Sequence, residues 1–275
     1  MKKTDRILVF TDLDGTLLDH RTYSFEPARP ALRLLRESGI PLVICTSKTR
    51  AEVEEIRGAL GNTDPFIVEN GGAIFVPQGY FSTDPPASRM DSGYLVVELG
   101  TSYSRILSVF SRMKERLPGR MRGFSDMTVE EVARLTGLSL NEAVRAKKRA
   151  YDEPFLLEDP ASGLDIVRTM AESAGLSITQ GRFFHLTGNN DKGRAVRLVK
   201  DIYARADGIS PRTIGLGDSP NDLPLLENVD FPVLVQKPGG RYEPSIRLDN
   251  LILAPGEGPV GWSVAVRDLV ERLTG

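Results

Sequence analysis

Short apolar runs alternate with amphipathic helical stretches at both ends of this chain, and a middle stretch of different texture separates the two blocks. Ile7–Thr11 reads as a strand buried on both faces. Residues 30–38 have helical periodicity and stop at Gly39, a C-cap residue. Leu42–Cys45 repeats the buried-strand pattern, 49–60 form an amphipathic helix ended by Gly61, and Phe66–Val68 reads as a third strand. This β-α-β-α-β order predicts an α/β fold with a Rossmann-like parallel sheet and helices on both faces.

The same texture returns late in the chain. A helix is expected over 192–206, with apolar residues at Ala195, Val196, Leu198, Val199, Ile202 and Tyr203. Strands are expected over 213–216, 233–235 and 251–253. Pro224 suits the first turn of a helix near Leu225, and a last helix is expected over 260–273. Between the blocks, residues 83–93 are rich in Pro, Ser, Asp and Gly and read as a linker. A strand over 94–99 and a helix over 104–117 follow. Thr128 with Glu131, and Ser139 with Glu142, are capping boxes that open two short helices. A strand over 155–158, a helix over 161–174 and a strand pair over 177–187 complete the middle. The expected organisation is a discontinuous core of residues 1–84 and 188–275, with an α+β cap inserted over 85–187.

Bulk properties narrow the function. The 275 residues are 40% hydrophobic and 26% charged, with a net charge of −2, so no basic surface for nucleic acid is expected. The one cysteine, Cys45, lies in an apolar run and reads as a buried hydrophobe. No apolar stretch approaches the ~20 residues that span a bilayer, and no signal-peptide pattern opens the sequence. A cytoplasmic protein is expected, with no membrane partner.

Four segments carry chemistry. Asp12-Leu13-Asp14-Gly15-Thr16 directly follows the first buried strand, and the carboxyl edge of a parallel sheet is where such folds bind ligands. Residues i and i+2 leaving a strand point the same way, so Asp12 and Asp14 face one small volume. A cation or a shared proton relieves that conflict, and Mg2+, a hard ion that takes oxygen ligands, is the expected cation. An aspartate beside it can attack phosphorus, and the other can protonate the leaving oxygen and then activate water. Thr46 and Ser47, after the second strand, offer an anion seat at a helix N-terminus; Ser47 and Thr49 also read as ordinary N-caps. Lys48 is expected to face solvent or substrate. Lys192, opening a helix, can offset charge as a phosphoryl group transfers. Asp218 and Asp222 bracket a tight turn after a later strand and can serve a metal further, one as a direct ligand and the other through water or by orienting Lys192.

Taken together, Asp12 to Thr16, Thr46, Lys192 and Gly217 to Asp222 resemble the four ordered motifs of the haloacid dehalogenase superfamily, in its aspartate phosphatase branch. The long insertion resembles the α/β cap of its sugar-phosphatase subgroup. The resemblance implies Asp12 as nucleophile and Asp14 as general acid and base. It implies Mg2+ held by Asp12, the carbonyl of Asp14, Asp218 and Asp222, and phosphate contacts from Leu13, Thr46, Ser47 and Lys192. Segments 46–50, 68–73, 148–153 and 181–185 are similar to those of the mannosyl-3-phosphoglycerate phosphatase family. That similarity implies a small phosphorylated sugar acid as substrate.

A sugar acid phosphate needs cations and hydroxyl ligands. Arg149 or Arg182 could hold its carboxylate, and Glu69, Asn70, Asp152, Glu153, His185 and Asn221 are candidate substrate contacts. Gly71 and Gly72 would allow close approach of a ligand, although Asn70-Gly71 is equally a hairpin signal. A general sugar-phosphate phosphatase and a phosphosugar mutase are the competing readings. Retention of Asp12, Asp14, Lys192 and Asp218 together argues against a silent binding module.

Overall fold

The computed structural model describes residues 6–180 and 183–275. Strand β1 (Ile7–Thr11) is buried at every residue. It lies inside a nine-stranded sheet with β2 (Leu42–Cys45), β3 (Phe66–Val68), β4 (Ala73–Pro77), β5 (Arg89–Asp91), β6 (Tyr94–Glu98), β11 (Arg212–Gly217), β12 (Phe231–Gln236) and β13 (Ile252–Glu257). The order is β13-β12-β11-β1-β2-β3-β4-β6-β5. Strands β13 through β3 run parallel, and β4, β6 and β5 continue the sheet antiparallel.

Alternation along β1 builds two cores. Ile7 and Val9 face Ala31 and Leu35 of α1 (Arg29–Glu37), Val53 of α2 (Arg50–Leu60) and Trp262 of α9 (Gly258–Thr274). Leu8 and Phe10 face Ala195, Val199 and Tyr203 of α7 (Lys192–Asp207) and Leu225 of α8 (Leu223–Leu226). The register matters most for function. Thr11 stands opposite both Ile44 of β2 and Leu216 of β11, so the residues that follow these three strands leave from one edge.

The inserted module has its own antiparallel sheet, β7 (Met121–Gly123), β8 (Asp152–Leu157), β10 (Phe184–Thr187) and β9 (Ser177–Gln180), in that order. On one face, Ile106 and Phe110 of α3 (Tyr103–Arg116) and Val167 of α6 (Pro160–Ser173) pack on Phe155 and Leu186. On the other, α4 (Val129–Thr136) and α5 (Leu140–Ala146) bring Val132 and Ala143 to Phe124 and Met127, with Leu156 packed against them. Both expected capping boxes form, at Thr128 and Ser139.

The structure departs from the sequence reading between residues 69 and 98. The chain turns straight back after β3 as β4, a strand the sequence reading missed. Ala73 and Phe75 enter one core and Ile74 and Val76 the other, so β4 is buried on both faces. It offers a free edge, and the strand expected over 94–99 pairs there as β6 rather than opening the insertion. The stretch read as a linker contains β5. The large sheet therefore continues beyond residue 84, where the expected core segment ended. Strand β8 also begins at Asp152, earlier than expected.

Trp262 is fully buried and ties α9 to the end of β1, its Nε1 donating to Thr11 Oγ1 at 3.0 Å. Trp262→Ala is expected to cost about 3–5 kcal/mol of stability. Trp262→Phe, which keeps most of the volume and loses the hydrogen bond, is expected to cost about 1–2 kcal/mol. Urea unfolding midpoints of the two variants check both values.

Candidate active site

At the sheet edge the buried Lys192 lies with three buried carboxylates, those of Asp12, Asp218 and Asp222. Lys192 is the first residue of α7, whose N-cap Asp191 accepts from the Gly193 amide at 2.8 Å. That start aims the side chain back across the sheet. Its ammonium donates to Asp12 Oδ1 at 2.8 Å and to Asp222 Oδ1 at 2.7 Å. Asp222 Oδ2 accepts from the amides of Asp218 and Ser219, each at 3.1 Å, so both Asp222 oxygens are engaged. Gly217 makes this turn feasible, because a Cβ there would sit 2.4 Å from Asp222 Cβ. Asp218 Oδ1 accepts from Thr16 Oγ1 at 3.2 Å. Ligand oxygens of Asp12, Asp218 and Asp222 all lie within 4.8 Å of one another.

The electrostatics are lopsided. Burial and the neighbouring Asp222 push the Asp12 carboxyl well above its usual range, with Lys192 pulling against them. Burial and Asp222 push Asp218 up to about 6. Burial opposes the charge on Lys192, but Asp12 and Asp222 outweigh it and hold the ammonium above its ordinary range. One ammonium among three carboxylates leaves negative charge uncompensated in a buried volume. Among the described residues no hydrogen bond reaches Asp12 Oδ2. This donor set of hard oxygens fits a divalent cation.

Asp14 lies apart from this cluster. Its side chain is 40% exposed, and its Oδ1 pairs with Lys48 Nζ at 3.0 Å. Lys48 does not face open solvent as one alternative expected: its side chain is 10% exposed, with Glu52 Oε1 at 3.8 Å. The reason is that α2 starts only at Arg50, with Thr49 as the N-cap, which turns Lys48 inward beside Asp14. Because Thr49 makes the capping box with Glu52, Ser47 is released from capping. Thr46 is buried and Ser47 half-buried at the same edge. Cys45 is buried behind them, and burial pushes its thiol up, away from nucleophilic use.

Most candidate substrate contacts outside the core motifs are spent on the protein. Glu69 is 1% exposed and accepts from the amides of Ala150 and Tyr151 at 3.0 and 2.8 Å. Asp152 is fully buried between Arg149 Nη1 at 3.2 Å and His185 Nδ1 at 2.8 Å. Arg149 also donates to the carbonyls of Ser47 and Ala146, both at 2.9 Å, so it bridges the inserted module to the loop after β2 rather than waiting for a carboxylate. Glu153 is buried and accepts from Ser125 and Tyr103 inside the module. Gly71 and Gly72 admit protein rather than a ligand: a Cβ on Gly71 would lie 2.4 Å from Asp191 O, and one on Gly72 2.6 Å from Tyr151 Cβ. Residues 69–72 are the turn of the β3–β4 hairpin, with Glu69, Asn70 and Gly71 at positive φ. His185 is half-buried. Asn70 and Asn221 meet at the mouth, 3.2 Å apart, and Asn221 is exposed. Arg182 lies outside the described residues. Asn190 escaped the sequence reading; its Nδ2 ties the carbonyls of Glu69 and Tyr151 together at 2.8 and 2.9 Å. No sequence signal distinguishes it from any other loop asparagine.

The chain resembles known proteins in sequence and fold. Residues 9–87 match the model of a family described as haloacid dehalogenase-like hydrolases. A glucosyl-3-phosphoglycerate/mannosyl-3-phosphoglycerate phosphatase of Methanococcoides burtonii is 49% identical over 266 residues, covering 96% of this chain and 97% of its own. The chain belongs to the haloacid dehalogenase-like hydrolase family, in its phosphatase branch. A second relative of the same description, from Persephonella marina, is 44% identical and covers 97% of this chain and 98% of its own. A haloalkanoate-superfamily phosphatase of Bacteroides thetaiotaomicron shares the fold at a TM-score of 0.68 and 18% identity, covering 99% of this chain and 96% of that one. This phosphatase has no helix, among its described residues, long and apolar enough to cross a membrane.

Glu69 gives the phosphatase a measurable pH signature. Burial, reinforced by Asp152 and opposed by Arg149 and the two amides, pushes its carboxyl up to about 7. From the ordinary glutamate value of 4.5 to about 7 the folded chain therefore binds more protons than the unfolded one. The contribution of Glu69 to stability is fullest at acid pH and falls as pH rises through that window. Glu69→Gln is expected to flatten the fall of unfolding free energy across it, as read from denaturant titrations at a series of pH values.

Proposed function

We propose that this chain hydrolyses the phosphomonoester of mannosyl-3-phosphoglycerate and of glucosyl-3-phosphoglycerate, through an acyl phosphate on the Asp12 carboxylate. The observation that carries the reaction is the Lys192 bridge between Asp12 and Asp222, which fixes a buried carboxylate at the sheet edge and opposes the burial that disfavours its charge. The names of two relatives that align over almost the whole chain support the substrates.

Asp12 attacks phosphorus and the bond to the glycerate oxygen breaks, while Asp14 gives its proton to that oxygen. Asp14, now ionised, takes a proton from water. The water oxygen attacks phosphorus, the acyl-phosphate bond breaks, and Asp12 is regenerated with release of phosphate. The half-exposed position of Asp14 and its separation from the buried carboxylates suit a group that must exchange protons twice per turnover. Thr46, Ser47, the backbone of Leu13 and Lys192 hold the phosphoryl oxygens. Asp222, with both oxygens engaged, orients Lys192 and the turn that carries Asp218.

Asp12, Asp218 and the main-chain carbonyl of Asp14 would hold Mg2+, which supplies positive charge against the phosphoryl oxygens and the crowded carboxylates. The inserted module, whose own sheet and helices begin beyond β6, acts as the cap over this edge. The enzyme works in the cytoplasm on a small phosphorylated sugar acid.

Asp12→Asn is expected to lower turnover by about 10⁴-fold or more while the melting curve keeps its shape. Normal turnover of that variant would refute Asp12 as nucleophile. For the substrate, phosphate release should be compared across both phosphoglycerate glycosides, hexose phosphates and free 3-phosphoglycerate. A clear preference for a hexose phosphate would overturn the proposed substrate and leave the reaction intact.

A further inference from the structure

Of the cations gathered at the sheet edge, most are fully committed. Lys192 is shared by Asp12 and Asp222. Arg149 is 8% exposed and divided among two carbonyls and Asp152. Arg50 pairs with Glu54 and stacks on Phe75 and Tyr94. Lys48 differs. Its ammonium has three N–H donors, and Asp14 Oδ1 at 3.0 Å is the one carboxylate oxygen in hydrogen-bond range among the described residues. Glu52 at 3.8 Å lies beyond that range, and its carboxylate already accepts from the Thr49 amide and hydroxyl at 2.8 and 2.9 Å. Burial opposes the charge on Lys48, but Asp14 and Glu52 outweigh it and keep the side chain cationic. Tyr23 stands over it, with Nζ 5.2 Å from the ring centroid. The turn that carries Tyr23 is fixed by its amide donating to Asp19 O at 2.9 Å and by Asp19 Oδ1 accepting from Arg21 and Thr22. Lys48 is thus a walled cation with spare donors, ion-paired with the group that faces the ester oxygen.

We propose that Lys48 binds the carboxylate of the glycerate unit and so selects phosphoglycerate esters over neutral sugar phosphates. This rests on the substrate reading given above. The chemistry of the substrate fixes the geometry. In a 3-phosphoglycerate the ester oxygen is on C3, the carboxylate is C1, and only C2 lies between. When the ester oxygen sits at Asp14, the carboxylate falls within reach of a cation held next to Asp14. A lysine suits this place better than an arginine, because one donor stays with Asp14 while the others turn to the ligand.

The test compares mannosyl-3-phosphoglycerate with its analogue in which the carboxylate is reduced to a hydroxymethyl group. In the unaltered enzyme kcat/KM should favour the carboxylate form. In Lys48→Met the ratio of the two kcat/KM values should fall by about 10- to 100-fold, the loss of a charged hydrogen bond, chiefly through KM of the carboxylate form. Lys48→Arg should restore part of the ratio, and it carries the test if Lys48→Met does not fold. If Lys48→Met slows both substrates equally, Lys48 acts only through Asp14 and the proposal is overturned. An unchanged ratio with unchanged rates overturns it too. If the unaltered enzyme ignores both phosphoglycerate glycosides yet hydrolyses other phosphomonoesters, the substrate reading has failed and this proposal falls with it.

Discussion

The bridge from Lys192 to Asp12 and Asp222 is the contact on which the site depends. It joins the end of β1, the start of α7 and the turn after β11, three segments far apart in sequence. A buried ammonium is costly unless paired, and so is each buried carboxylate. Here each charge is the condition for the others. The register of β1 between β2 and β11 brings the three segments to one edge, so the sheet supplies the geometry and the charges make that geometry obligatory. The site holds more negative than positive charge even so, and its three carboxylates form a donor set that could hold a metal ion.

A second set of buried polar contacts joins the inserted module to the core. The Glu69 carboxylate meets the amides of Ala150 and Tyr151, Arg149 meets the carbonyl of Ser47, and the Thr49 hydroxyl donates to the carbonyl of Arg145 at 3.0 Å. Each places a residue that neighbours the loop after β2 or the β3–β4 turn against the stretch between α5 and β8 or the end of α5. The module is therefore held by directional bonds at the same edge where the carboxylates converge, and by Tyr151, which enters the core of the large sheet.

These contacts also explain what the sequence could and could not tell. Asp12, Asp14, Thr46, Lys192, Asp218 and Asp222 were legible because each follows a short buried strand or opens a helix, and parallel strands put such ends together. Asn70-Gly71 reads locally as a hairpin signal, but the consequence of that turn is not local. A turn there adds an antiparallel strand whose new edge recruits β6 and β5, which is a tertiary event with no local signature. Glu69, Asp152 and Glu153 read as ligand residues because polar side chains near loops do. Their true partners are backbone amides and side chains brought close only by packing of the module. Lys48 went the other way, since a lone lysine reads as surface, and only the inward turn before α2 gives it Asp14 and Glu52.

The two aspartates of the first motif end in opposite environments although one residue separates them. Asp12 is buried and belongs to Lys192, while Asp14 is 40% exposed and belongs to Lys48. The alternation of a strand end sends both forward, and the depth of the edge then divides them. A nucleophile gains from a dry, fixed setting, because its charge is felt more strongly there and cannot wander. A proton carrier gains from contact with water. Each acid thus has its own lysine, one locked in the floor and one at the rim. The floor lysine is spent on the two buried carboxylates, and the rim lysine keeps donors that, on the proposal above, a substrate uses. On that proposal selectivity is set at the rim, because Lys48 can meet a ligand without disturbing the buried charges beneath it.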